Sequence, residues 1–217
     1  MKNALIMGAT GATGSELVKL LIQSPLYNEI HIVHYRETKF KGLPKITEHI
    51  IDMDRLIDQL NIQEPIHDIF CTIGTTRKKA KSIENFIRID LDYILELGQW
   101  AKNEKVNSFN VISSSNANKD SFFLYLKTKG KMEQKLSELQ LSQLNIFRPP
   151  LLYAPNRSEI RLIEKWIYVV LKYLSMISPA FARRQRPLPV TLLAQKMLSY
   201  AQEKNDNIKI LEPSDLQ

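Results

Sequence analysis

Cysteine is almost missing from this chain. Its single thiol, Cys71, excludes an internal disulfide, which points to a reducing compartment. Long apolar runs are missing as well. The most apolar late stretch, residues 166–177, is interrupted by Lys172, which leaves it too short to span a bilayer. The first strand pattern begins almost at Met1 and leaves no room for a signal peptide, so the expected location is cytoplasmic. Low-complexity segments and internal repeats are absent, and 217 residues suffice for one domain with a full core. Acidic residues are in deficit, 23 against 30 basic ones, for a net charge of +7. No basic stripe interleaved with aromatics accompanies that excess, so a nucleic-acid partner is not expected; a site for an anionic cofactor accounts for it better.

Glycine is scarce too, seven in all, yet three of the seven fall at residues 8, 11 and 14. The apolar run Asn3–Met7 reads as a buried parallel strand and Ser15–Ile22 as a helix, so the glycines join strand to helix. In that setting Gly8 allows the tight turn, Gly11 lets a pyrophosphate approach, and Gly14 packs the helix close, with the helix N-terminus facing the negative charge. Gly8, Thr10, Gly11, Ala12, Thr13 and Gly14 are therefore the candidate dinucleotide contacts.

Alternating strand and helix patterns continue along the chain. Strands are predicted over 29–34, 46–51, 67–72, 108–112 and 144–148, with a short last one over 208–211. Helices are predicted over 55–60, 82–102, 122–139, 159–176 and 190–203. This pattern implies an α/β fold with a doubly wound parallel sheet in the order 3-2-1-4-5-6, a seventh strand being added if 208–211 joins it, and helices on both faces. Residues from about 150 onward form a small helical elaboration on the substrate side. In such a sheet, ligands sit outside the carboxyl ends of the strands. The second strand runs out into Tyr35-Arg36-Glu37-Thr38-Lys39. Arg36 favours NADP(H), because an arginine accommodates a 2′-phosphate, while Glu37 keeps NAD(H) open. Asp52, after the third strand, can receive the adenine amino group or cap the helix that follows. Gly74, Thr75 and Thr76 follow the fourth strand, where small residues admit a ribose. The basic segment 77–81 reads as a solvated loop with a phosphate role open to it.

The fifth strand delivers Ser113-Ser114-Ser115, and the next helix carries Tyr125 and Lys129 four residues apart, hence on one face. An ammonium beside a phenol favours the phenolate and makes tyrosine a usable acid or base. A serine at a neighbouring strand end can hold the substrate oxygen.

Together, Gly8-x-x-Gly11-x-x-Gly14 and Tyr125-x-x-x-Lys129 resemble the cofactor motif and catalytic pair of the short-chain dehydrogenase/reductase superfamily, in its atypical or extended branch. Gly74-Thr75-Thr76-Arg77, Phe109-Asn110-Val111-Ile112-Ser113-Ser114 and Phe123-Leu124-Tyr125 with Lys129-Gly130 are similar to the Tat-interacting-protein-like oxidoreductases. The resemblance implies a single Rossmann-fold domain, NADPH as cofactor, Pro149 beside it, and a Ser-Tyr-Lys triad in which Ser114 is favoured and Ser113 and Ser115 are rivals. It implies hydride transfer to or from a small carbonyl or alcohol; the alternatives are a dinucleotide-sensing regulator with little turnover and an epimerase that retains its cofactor. Relatives often place an asparagine where this chain has Asp90, which bears on the proton relay. No metal is expected, and the helices over 82–102 and 122–139 offer a homodimer face.

Overall fold

The structure, a computed structural model, describes residues 1–154, 187–203 and 208–217. The helix expected over 159–176 lies outside the described residues, as does most of the basic loop 183–189.

Seven parallel strands form the central sheet: β1 Lys2–Met7, β2 Tyr27–His34, β3 Ile46–Ile50, β4 Asp68–Cys71, β5 Ser108–Ile112, β6 Leu144–Phe147 and, after a two-residue pair β7 Leu152–Tyr153 and β8 Leu188–Pro189, β9 Ile208–Leu211. Their order is β3-β2-β1-β4-β5-β6-β9, so the predicted doubly wound topology holds and the last strand joins the sheet at its edge. The helices are α1 Ala12–Gln23, α2 Leu56–Gln59, α3 Arg77–Ala80, α4 Ile83–Ile87, α5 Tyr93–Asn103, α6 Leu124–Glu138 and α7 Val190–Tyr200.

The unbroken apolar run of β1 is explained by burial on both faces. Leu5 and Met7 face a core shared with Val33, Ile69, Leu97, Trp100, Met132 and Leu136. Ala4 and Ile6 face the opposite core with Leu17, Leu21, Ile32, Leu193 and Met197. Thus α5 and α6 cover one side of the sheet, α1 and α7 the other. Cys71 lies fully buried in the first core, where burial pushes its thiol up to about 12. It is a small core residue, as its place inside a strand suggested.

Polar side chains inside the sheet are paired off. Fully buried Asp68 accepts from Tyr27 Oη at 2.6 Å, Ser108 Oγ at 2.7 Å and Lys2 Nζ at 3.0 Å, which ties together the starts of β1, β2, β4 and β5. Arg148, at the end of β6, grips Glu133 of α6 with Nε and Nη2 at 3.0 and 2.6 Å and reaches Glu212 beyond β9 at 2.7 Å.

Two local expectations are corrected. Residues 77–80 are not a loop but the short helix α3, started by Thr76, whose hydroxyl accepts from Lys79 N. The helix expected without interruption over 82–102 contains a π-helical segment, Arg88–Asp92, between α4 and α5. Such a wider turn re-aims the side chains it carries, and here it carries Asp90.

Candidate functional site

β1 ends at Met7, and the chain reverses through Gly8 at φ +97°, a left-handed conformation that glycine adopts without strain. A Cβ at Gly8 would stand 2.6 Å from Ile73 N, and one at Gly14 only 2.2 Å from Gly8 O. The turn is thus pressed between the end of β4 and the first turn of α1. Gly11 N donates to Gly8 O at 3.0 Å, and Gly11 caps α1 without a side-chain hydrogen bond. The first backbone N–H groups of α1 therefore keep their capacity for an anion. Gly14 acts as the spacing suggested, except that its close contact is the turn's own carbonyl together with Thr72 Oγ1. Thr13 turns inward and is buried.

Outside the carboxyl ends of β1, β2, β3 and β4 lies a cleft of about 960 Å³. Of the candidate cofactor residues, Gly8, Thr10, Gly11, Arg36, Asp52, Gly74 and Thr75 line it. Ala12, Thr13, Gly14, Thr76, Tyr125, Lys129 and Pro149 are not among its lining residues; Thr76 is occupied as the cap of α3. Asp52 Oδ1 accepts from Asp54 N at 3.0 Å, so it caps a 3₁₀ turn, Met53–Arg55, while standing in the cleft wall.

Sequence reasoning missed a group of residues on that wall. His34 and Tyr35 stack with ring centroids 4.5 Å apart, and the Arg36 guanidinium lies over the Tyr35 ring at 5.2 Å. Arg36 N donates to His34 Nδ1 at 3.2 Å, which leaves Nε2 as the N–H nitrogen of the neutral ring, 3.3 Å from Thr10 Oγ1. Burial, and then the Arg36 charge, pushes the His34 pKa below its ordinary value. Glu37 is turned to Lys41 in an exposed ion pair. Lys79, Asn85 and Tyr93 complete the far side of the cleft. The available signal was position: these residues follow strand ends or sit on the helices after β4.

The other half of the site is organised by Asp90. Its Oδ2 accepts from Thr75 N at 2.8 Å in the loop after β4, and its Oδ1 meets Lys129 Nζ at 3.1 Å, with both side chains almost wholly buried. Lys129 Nζ also donates to Ile112 O at 3.4 Å, at the end of β5. Burial pulls the Lys129 pKa down, but the charges of Asp90 and Tyr125 and the hydrogen bond to Asp90 together leave it raised. Lys129 is therefore a fixed ammonium. Tyr125, one turn earlier on α6, stays partly exposed, its ring 6.3 Å from that of Phe86. The three serines separate by environment. Ser113 is buried and its hydroxyl donates to Glu133, the carboxylate that Arg148 holds. Ser114 is half-buried, and among the described residues its hydroxyl donates to the neighbouring Ser115 O at 3.2 Å. Ser115 N donates to Pro149 O at 3.0 Å.

The family described as HIM1 matches residues 37–174, more than half of the chain. Protein HTATIP2 of Rattus norvegicus is 32% identical over 201 residues, covering 91% of this chain and 80% of its own. The chain belongs to the HIM1 family. Its relatives include Protein FMP52, mitochondrial, of Debaryomyces hansenii, 30% identical over 76% of this chain and 74% of its own. Among solved structures, a short chain dehydrogenase family protein from Francisella tularensis superposes with a TM-score of 0.69 at 17% identity, covering 99% of this chain and 98% of that one. MoeE5 in complex with UDP-glucose and NAD gives 0.71 at 17% identity, covering 96% and 75%. This HIM1-family chain therefore shares the fold of these two structures.

The comparison also corrects the expected cytoplasmic location, because fungal relatives carry mitochondrial names. The lone thiol was a poor guide: one cysteine excludes an internal disulfide in any compartment. Among the described residues no helix is long and apolar enough to cross a membrane.

Proposed function

We propose that the chain is an NADP(H)-dependent oxidoreductase that moves hydride to or from a small carbonyl or alcohol. The observation that carries this reading is the buried Asp90–Lys129 pair, linked through Thr75 N to the loop that walls the cofactor cleft. It joins the Tyr-x-x-x-Lys helix to the dinucleotide side of the fold. The glycine cradle fits a dinucleotide: a side chain at Gly8 or Gly14 would collide with backbone, and α1 begins without a side-chain cap. When bound, the dinucleotide supplies or accepts the hydride.

In carbonyl reduction, Tyr125 Oη donates the proton to the substrate oxygen, and Ser114 Oγ holds that oxygen by hydrogen bond. Lys129 keeps positive charge beside Tyr125. Ser114 is preferred over Ser113, whose hydroxyl is committed to Glu133. Arg36 reads a 2′-phosphate: it lines the cleft, whereas Glu37, the residue that would favour NAD, is paired with Lys41.

Two measurements test the reading. Titration with NADPH, NADP, NADH and NAD, followed by nicotinamide fluorescence, is expected to show NADPH binding at least about tenfold tighter than NADH. With a carbonyl substrate found by screening, Tyr125→Phe is expected to abolish turnover and leave NADPH affinity almost unchanged. Failure of every dinucleotide to bind would overturn the reading.

A further inference from the structure

Around the middle of β2, four metal-ligating side chains from β2, β3 and the segment before β4 converge. Glu29 and His31 project from one face of β2, His49 comes from the adjacent β3, and Glu64 comes from the segment that leads into β4. His31 is 1% exposed. Its Nδ1 lies 2.9 Å from His49 Nε2, while its Nε2 is buried with no hydrogen-bond partner among the described residues. That nitrogen points at carboxylates, with Glu29 Oε2 at 3.7 Å. A ligand atom from each of Glu29, His31 and Glu64 falls within 4.8 Å of the other two. Glu29 is further fixed by Thr47, whose hydroxyl donates to its Oε1 at 2.7 Å.

We propose that Glu29, His31 and Glu64 form a binding site for one divalent transition-metal ion of the zinc type. The geometry has two parts. First, an orphaned buried nitrogen beside two carboxylates leaves polar atoms uncompensated, and a cation accepting all three lone pairs removes that cost. Second, His31 Nδ1 has a partner in His49 Nε2 at 2.9 Å, and in the tautomer where Nδ1–H is the donor the Nε2 lone pair is free for a metal; a metal-bound histidine ordinarily has such a partner on its other nitrogen. One imidazole with two carboxylates suits zinc and its neighbours better than calcium or magnesium, which take oxygen ligands alone. Metal-to-ligand distances of about 2.0–2.2 Å bring ligand atoms to roughly 3.5 Å apart. Glu64, exposed on its loop, can make that closing movement, and water completes the coordination. Such an ion would pin the segment before β4 onto β2, away from the cofactor cleft.

The test uses tag-free full-length protein stripped of metal with a chelator. Calorimetric titration with Zn²⁺ is expected to give one ion per chain, Co²⁺ to develop the visible absorption of a low-coordinate site, and Mg²⁺ to give no signal. Zn²⁺ is also expected to raise the unfolding temperature. Glu64→Gln, an exposed change that keeps the shape, is expected to weaken Zn²⁺ binding by at least about tenfold, and Glu29→Gln likewise. Absence of stoichiometric Zn²⁺ binding would overturn the proposal, as would binding that survives unchanged in either variant.

Discussion

Asp90 and Lys129 meet as an ion pair at 3.1 Å inside the protein, with side-chain exposures of 1% and 4%. Removing one partner from such a pair leaves an uncompensated buried charge. Asp90→Ala is therefore expected to cost about 3–5 kcal/mol of stability, read as a lowered denaturation midpoint in urea. Asp90→Asn keeps an acceptor for Thr75 N but not the charge, so its loss of stability is expected to be smaller. Equal losses for the two variants would show that the charge, not the hydrogen bond to Thr75 N, carries the effect.

That pair also marks how far the sequence could be read. The strand pattern was legible because parallel strands buried on both faces are continuously apolar, as in Leu5-Ile6-Met7. The glycine turn was legible because Gly8 and Gly14 answer to local steric demands that no other residue meets. The partnership of Asp90 with Thr75 and Lys129 was not, since it joins three segments and depends on a π-helical turn that no periodicity announced. The same holds for Ser113: in sequence it is a rival of the favoured Ser114, and the position of Glu133 on α6 is what sets it apart. Asp52 caps the 3₁₀ turn Met53–Arg55, not the helix expected over 55–60, and it stands in the cleft wall.

Gly14→Ala tests the cradle. The added Cβ would stand 2.2 Å from Gly8 O and 2.7 Å from Thr72 Oγ1, so the helix must move away from the turn. Overpacking of this kind costs about 1–3 kcal/mol, and dinucleotide binding is expected to fall further than stability, since the N-terminus of α1 moves with it. Fluorescence titration and thermal unfolding of the same sample separate the two effects.

Arg36 stands in the cleft over the Tyr35 ring. Arg36→Ala is expected to weaken NADPH binding by about 1.5–3 kcal/mol, on the order of ten- to a hundredfold, the worth of a hydrogen bond to a charged group. NADH, without the 2′-phosphate, is expected to lose little. A parallel loss for both cofactors would place the arginine's role in shaping the wall instead of reading the phosphate.

The serines are separable by their partners. Ser114→Ala is expected to lower kcat by about a hundredfold or more, the scale for losing a donor to a developing oxyanion, with stability little changed. Ser113→Ala instead strips a buried donor from Glu133 and is expected to cost about 1–3 kcal/mol of stability with a much smaller effect on kcat. The reverse pattern would assign the substrate contact to Ser113.

Stability is expected to fall on the acid side because of His34. Burial comes first and the Arg36 charge second in holding its folded-state pKa below the ordinary 6.5. Below about pH 6.5 the unfolded chain takes up a proton at this position that the folded chain resists. Its contribution is therefore complete above that pH and is lost as the pH falls toward the folded-state value. His31 and His49 are also lowered, with burial again the leading cause, so the three add in the same direction. Urea denaturation midpoints measured in chelator-containing buffer from about pH 7 down to about pH 5 are expected to decline. In His34→Gln, whose side chain still offers Thr10 and Arg36 N hydrogen-bonding groups but does not titrate in this range, the decline is expected to be shallower. An unchanged slope would mean that protonation of His34 is accommodated by a rotation toward solvent.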